Sequence, residues 1–247
     1  MKKLIINGIY GRMGRKVEEY AEDFEIFGAD VNASGNESYI SNNIADFSAD
    51  VVIDFSSPKA ISGLLDFALK TKTPLVICST GFSETEKAMI EKASESVPIF
   101  MSFNMSLGIN VLSYLTAQAT KLLAGFDIEI VEKHHNQKLD APSGTAIMLA
   151  NSAKAERELS ETFGRHGRNC KRDASEIGMH AVRGGTVVGE HEVGFYGENE
   201  RIILSHSAES REVFAKGAIV AAKFMATQTE CRMFDMNDVI KSKVENL

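Results

Sequence analysis

The densest run of reactive side chains in this sequence is Glu132-Lys133-His134-His135-Asn136-Gln137-Lys138-Leu139-Asp140-Ala141-Pro142-Ser143-Gly144-Thr145. His134, His135 and Lys138 can carry positive charge or move protons near neutral pH. Pro-Ser-Gly-Thr then opens a helical pattern. The backbone N–H groups of Gly144 and Thr145 are therefore expected at a helix N-terminus, where anions bind. The set suits a small carboxylate substrate that takes up a proton. The plainer alternative is a capped helix with solvated basic residues. Zinc is disfavoured: neighbouring histidines on an extended strand point to opposite faces, and no C-x-x-C or H-x-x-x-H accompanies them. Ser143 lacks the G-x-S-x-G surroundings of a nucleophile elbow.

A second constellation opens the chain. Gly8, Gly11 and Gly14 form G-x-x-G-x-x-G between an apolar run and a helical pattern. Such glycines permit a tight turn and let a pyrophosphate approach the backbone at a helix N-terminus. A dinucleotide site also needs a ribose partner after the second strand. The chain there reads Ala29-Asp30-Val31-Asn32, so Asp30 or the neutral Asn32 is available and the choice of nucleotide stays open. Two further strand ends are small and polar: Cys78-Ser79-Thr80-Gly81 and Ser102-Phe103-Asn104-Met105. Ligands of open α/β sheets bind beyond such ends, although ordinary turns use the same residues.

The elements that must position these groups follow from the apolar pattern. Residues 3–7, 25–31, 51–55, 74–78 and 98–101 read as short strands. Met13, Val17, Tyr20, Ala21 and Phe24 repeat on one helical face; Ile61, Leu64, Leu65, Ala68 and Leu69 repeat on another. Pro58 suits a helix start, and Ser83 with Glu86 stands in capping-box register. This alternation predicts a parallel sheet with helices on both faces. The later half has a different grain. Helices are expected at 108–123, 146–159 and 209–225, and strands at 126–133, 177–182, 187–195 and 201–207. That is an α+β segment with an open sheet. Residues 164–172, with Arg165, His166, Arg168, Lys171 and Arg172, are expected as a solvated or subunit-contact loop.

The chain has 247 residues, room for one large domain or two modest ones. Hydrophobic residues make up 44% and charged residues 25%, enough for a real core. No apolar run approaches the ~20 residues that span a bilayer, and the first one stops at Asn7-Gly8, too short for a signal peptide. Cys78, Cys170 and Cys231 are odd in number and widely spaced, which fits a reducing cytoplasm better than a disulfide framework. A net charge of −7 argues against a general nucleic-acid binder.

With these residues in view, the chain is identified as resembling the dihydrodipicolinate reductase family. Residues 132–146 match that family's E-x-H-H-x-x-K-x-D-A-P-S-G-T-A signature, and Gly8-x-x-Gly11-Arg12-Met13-Gly14-Arg15 resembles its nucleotide loop. Asp54-Phe55-Ser56, Ser79-Thr80-Gly81-Phe82, Asn104-Met105-Ser106-x-Gly108-x-Asn110, Arg183-x-Gly185, Gly189-Glu190-His191 and Phe234-Asp235-Met236-x-Asp238-Val239 follow in order. The resemblance implies an α/β fold: a Rossmann-type dinucleotide-binding domain at 1–106 and 212–247, with an inserted α+β domain at 107–211 for substrate binding and tetramerisation. It implies a cytoplasmic homotetramer in which NADPH or NADH reduces 4-hydroxy-tetrahydrodipicolinate, a cyclic dicarboxylate of diaminopimelate and lysine synthesis. His134 would be the acid/base residue and Lys138 the proton donor. His135, Ser143, Gly144 and Thr145 would hold substrate. Gly8, Ile9, Tyr10, Gly11, Arg12, Met13, Asn32, Cys78, Ser79, Thr80, Ser102, Phe103, Asn104 and Met105 would contact the nucleotide; no metal is implied. Cys78 stands where the family usually has glycine, and Asn32 where many members have an acid.

Two other readings compete: a different nicotinamide enzyme of the same plan, such as an amino-acid dehydrogenase, and a dinucleotide sensor without catalysis. The assembly has a sequence rationale of its own. Val187, Val193, Phe195, Ile202 and Leu204 put apolar side chains on late strands that few helices remain to cover. Such a face is expected to pair with other copies, unless the C-terminal helix covers it.

Overall fold

In the computed structural model, which describes residues 1–245, the first hundred residues alternate strand and helix. In order they form β1 (Lys2–Asn7), α1 (Arg12–Tyr20), β2 (Phe24–Ala29), β3 (Ile40–Ser41), β4 (Val51–Asp54), α2 (Ile61–Thr71), β5 (Leu75–Ile77), α3 (Glu84–Ser94) and β6 (Ile99–Met101). Leu4, Ile5, Ile6, Val51, Val52 and Ile53 are all buried, as the continuous apolar runs of a sheet covered on both faces should be. Pro58 opens a short 3₁₀ turn that feeds α2. Ser83 and Glu86 form the expected capping box at the start of α3. Phe24 departs from expectation. The helical spacing carried it onto α1, but a turn at Glu22-Asp23 ends the helix and Phe24 begins β2, still inside the same core.

The chain continues into α4 (Leu107–Leu122), β7 (Asp127–His134), α5 (Gly144–Lys154), β8 (Ser160–Phe163), β9 (Glu176–Arg183), β10 (Gly189–Tyr196) and β11 (Arg201–Ala208). Their sheet has the order β11-β10-β7-β9-β8. β10 runs antiparallel to β7 and β11, while β9 runs parallel to β7 and β8. The helix expected to reach Leu159 stops at Lys154, and residues 160–163 pair with β9 instead. The basic loop is exposed at His166, Arg168 and Lys171, as expected, but two of its arginines are held. Arg165 and Arg172 fold back onto Glu129 at 2.7 and 3.1 Å, so the loop is latched to the sheet by ion pairs. Glu129 lies across Gly178, where a Cβ would meet its carboxylate.

The expectation of an uncovered apolar sheet face needs correction. Ile128, Ile130, Val193 and Phe195 alternate onto one face and pack with Leu149, Ala150 and Ala153 of α5. Phe195 is fully buried there. Helices of the same segment cover that face, because α4 and α5 both supply apolar residues to it. The opposite face carries Val131, Val182, Tyr196 and Ile203 among charged and small polar residues.

The chain then forms α6 (Glu212–Met225), β12 (Met233–Phe234) and α7 (Met236–Glu245). β12 completes a seven-stranded parallel sheet of order β12-β6-β5-β4-β1-β2-β3. Its order reverses at β1, flanked by β2 and β4, which is the switch point where ligands of such sheets bind. The chain divides into two compact units, residues 1–107 with 212–247, and residues 108–211. No helix among the described residues is long and apolar enough to cross a membrane.

Candidate active site

In the first unit, the turn after β1 is built to receive an anion. Gly8 has a φ of +83°, and a Cβ on it would come within 2.9 Å of the Phe55 backbone. Gly14 sits so close to the turn that a Cβ would lie 2.3 Å from the Gly8 carbonyl oxygen. Gly11 caps α1 with no side chain, and α1 has no acid in its first turn, so the helix start offers N–H groups and a positive dipole end. These features fit a pyrophosphate. Gly14→Ala is expected to weaken nucleotide binding by roughly 1–3 kcal/mol, the cost of displacing packed backbone. Fluorescence titration with NADPH measures it, and an unchanged Kd would separate this loop from phosphate binding.

The surroundings assign different jobs to the expected nucleotide contacts. Asp30 directly follows β2; its carboxylate accepts the Tyr10 N–H at 3.1 Å and the Asn32 N–H at 3.0 Å. Asn32 is exposed and also donates its side-chain amide to Asp30. The Tyr10 hydroxyl donates to Glu37, and Arg15 stacks on the Tyr10 ring. Ile9 is fully buried in the core, so only its backbone can face a ligand. Ser79 is committed as well. With Asn7 and Ser56 it donates to the buried Asp54 carboxylate, a network that ties together the ends of β1, β4 and β5. Cys78 is half-buried, and burial, then Asp54, pushes its thiol well above the usual range. Arg12 and Thr80 are exposed, Met13 is half-buried, Phe103 is exposed, and Met105 is buried. The Ser102 hydroxyl donates to the Asn104 carbonyl, and the Asn104 side chain accepts the Ser106 N–H.

In the second unit, His134 ends β7, His135 opens the nine-residue loop that follows, and α5 starts after it. Strand alternation buries His134 and leaves His135 half-buried. His134 Nδ1 lies 2.6 Å from Oε2 of the fully buried Glu132. Arg183 grips the same carboxylate with both terminal nitrogens at 2.8 and 2.7 Å. Burial pushes the Glu132 carboxyl up, but hydrogen bonds from Arg183, His134 and the Ser143 N–H outweigh it and hold it below the ordinary range. Lys138 pairs with Asp140 at 2.8 Å. That pairing leads the causes that lower the Asp140 carboxyl, and the Gly144 N–H contributes.

Ser143 caps α5. It is buried, its hydroxyl accepts the Ala146 N–H as the N-cap of α5, and it meets His191 Nε2 at 3.0 Å. Gly144 and Thr145 begin the helix and are half-buried. His191 and His134 pack edge to face, with ring centres 5.1 Å apart. Glu132, Arg183 and His191 thus pack into the same cluster as His134 and Ser143, although the sequence assigns them no role. Only their presence in the matched motifs pointed to them. Among the described residues, no group of three or more His, Cys, Asp or Glu side chains could hold a metal ion.

Burial, with His134 close by, lowers the His191 pKa from 6.5 to about 4. Folded His191 therefore stays neutral where an unfolded histidine takes a proton. Its stabilisation is complete above pH 6.5 and is lost as pH falls towards about 4. At 1.36 kcal/mol per pH unit this is about 3 kcal/mol. Denaturant unfolding across that window should show the loss, and His191→Gln should flatten it; an equally steep profile in the variant would assign the loss to other groups.

A parallel sheet with a glycine turn at its switch point, and a second unit with a cluster of basic side chains before a helix start, fit an oxidoreductase that uses a pyridine nucleotide. Residues 2–105 match the family described as dihydrodipicolinate reductase, N-terminus, and residues 108–240 match dihydrodipicolinate reductase, C-terminus. The chain belongs to the dihydrodipicolinate reductase family. It is 49% identical to the 4-hydroxy-tetrahydrodipicolinate reductase of Caldanaerobacter subterraneus subsp. tengcongensis, over 98% of this chain and 99% of that protein. It is 46% identical to the enzyme of the same name from Clostridium botulinum, over 97% and 98% of the two chains. The fold is shared with a dipicolinate-bound dihydrodipicolinate reductase from Paenisporosarcina sp. TG-14, at a TM-score of 0.76 and 21% identity, over 96% of this chain and 99% of that one.

Proposed function

We propose that this enzyme reduces 4-hydroxy-tetrahydrodipicolinate to tetrahydrodipicolinate in the diaminopimelate route to lysine, with the first unit binding the nucleotide and the second the substrate. The observation that carries the reading is the joint presence of the uncapped glycine turn and the His134–Lys138 cluster in a chain of this family. In the overall reaction the ring loses its hydroxyl as water and gains one hydride and one proton. Bound at the glycine turn, a reduced nicotinamide supplies the hydride. His134 serves as the acid/base group and Lys138 delivers the proton to the ring. His135 and the backbone of Gly144 and Thr145 hold carboxylate oxygens, helped by the positive end of α5. Loss of absorbance at 340 nm, when purified protein, NADPH and this substrate are mixed, tests the reading. A folded protein that binds NADPH and gives no loss would refute it.

Both NADPH and NADH serve in this proposal. Asp30 spends its carboxylate on Tyr10 and Asn32, and the neutral Asn32 sets no fixed charge against a 2′-phosphate. Asn32→Glu should shift the ratio of kcat/KM towards NADH by about 1–3 kcal/mol, the scale of a charge-assisted contact. An unchanged ratio would place Asn32 away from the ribose. The working form is a cytoplasmic homotetramer joined through the outer face of the second sheet.

A further inference from the structure

We infer that Glu132, clamped by Arg183, is the positioning residue that holds His134 as the Nδ1–H tautomer and locks the start of α5 to it. The inference rests on the proposed role of His134 in proton transfer. Four nitrogen atoms from three residues converge on this one fully buried carboxylate. Arg183 reaches Oε2 and Oε1 with its two terminal nitrogens, the Ser143 N–H reaches Oε1 at 2.9 Å, and His134 Nδ1 reaches Oε2 at 2.6 Å. An ionised carboxylate only accepts hydrogen bonds. The proton between it and His134 therefore sits on Nδ1, and the lone pair of the neutral ring is on Nε2.

The structure also keeps space at that second nitrogen. Gly189 opens β10 beside the ring, and a Cβ there would lie 3.1 Å from Nε2, closer than to any other His134 atom. Oε1 meanwhile fixes Ser143, the residue just before Gly144 and Thr145. Arg183 adds a second tie, donating to the Asp140 carbonyl at 2.7 Å in the loop that carries Lys138. One buried charge thus couples the orientation of the proton-transferring ring to the place where a carboxylate would bind. Such a charge is costly to bury, and an apolar pair could fill the same volume, so its presence calls for a role beyond packing.

Glu132→Gln discriminates because glutamine brings one oxygen and one donor amide. The Arg183 nitrogens and the Ser143 N–H can only donate. The imidazole is the one partner able to become an acceptor, so the amide should turn to Nδ1 and force the proton to Nε2. Nitrogen-15 NMR of labelled histidine reads the tautomer directly, with no need for turnover. The wild type should show the Nδ1–H form and Glu132→Gln the Nε2–H form. With the wrong tautomer, kcat should fall on the order of 10²–10⁴-fold while the Kd for NADPH is unchanged. Gly189→Ala should lower kcat while keeping the Nδ1–H form. A dominant Nε2–H form in the wild type would overturn the inference, even if Glu132→Gln fails to fold. So would a folded Glu132→Gln that keeps the Nδ1–H form and wild-type kcat. A wild type with the Nδ1–H form and no turnover would instead remove the proposed reaction and leave the tautomer assignment standing.

Discussion

Lys138→Ala is expected to lower kcat by roughly 10²–10⁴-fold, the usual cost of losing a general acid. Lys138 lies in the loop between β7 and α5, with its side chain 21% exposed and its ammonium held by Asp140. It is close enough to His191 to contribute to lowering that imidazole, so its charge is felt in the His134–His191 cluster. The glycine turn and Asp30 belong to the other unit. The Kd for NADPH should therefore stay near the wild-type value. Steady-state kinetics and a binding titration on the same preparation test both halves. If only KM for the substrate rises, Lys138 holds a carboxylate and another group supplies the proton. If NADPH affinity collapses while kcat survives, the assignment of Lys138 to the substrate side is wrong.

Phe195→Asp should unfold the second unit and say nothing about assembly. The ring is fully buried among Ile128, Ile130, Leu149 and Val193. Truncating a buried phenylalanine costs about 3–5 kcal/mol, and placing an unpaired carboxylate there adds to it. That is a large share of the 5–15 kcal/mol that stabilises a typical domain. Ile203→Asp is the informative change. Ile203 is 43% exposed and sits opposite Gly194 on the outer sheet face. If that face joins the copies, Ile203→Asp should remain folded by circular dichroism and lose the tetramer mass in light scattering. An intact tetramer would move the interface elsewhere. Alternation groups Phe195 with Val193 on one apolar face, but it shows only which residues share a face and not which face the helices cover.

Much of this protein was determined by local pattern. The buried runs of β1, β4 and β5, the Ser83 capping box and the spacing of Gly8, Gly11 and Gly14 report interactions within a few residues, and chain geometry enforces these wherever the segment lies. The same holds for the alternation along β7 that buries Glu132 and His134 and leaves Lys133 exposed. Weak local signals failed. β3 and β12 have two residues each, too few to show a period, and α5 ends at Lys154 although apolar spacing continued to Leu159. The sequence motif brought His134, Lys138, Gly144 and Thr145 together because they are close along the chain. Only the tertiary structure decided what surrounds them. Arg183 reaches Glu132 because β9 pairs with β7 in a register that sets Arg183 against His134. His191 faces Ser143 because β10 pairs antiparallel on the other side, with His191 opposite Glu132. A shift of one residue in either pairing would turn these side chains to the opposite face. Register depends on contacts between segments some fifty residues apart, and no local period encodes it.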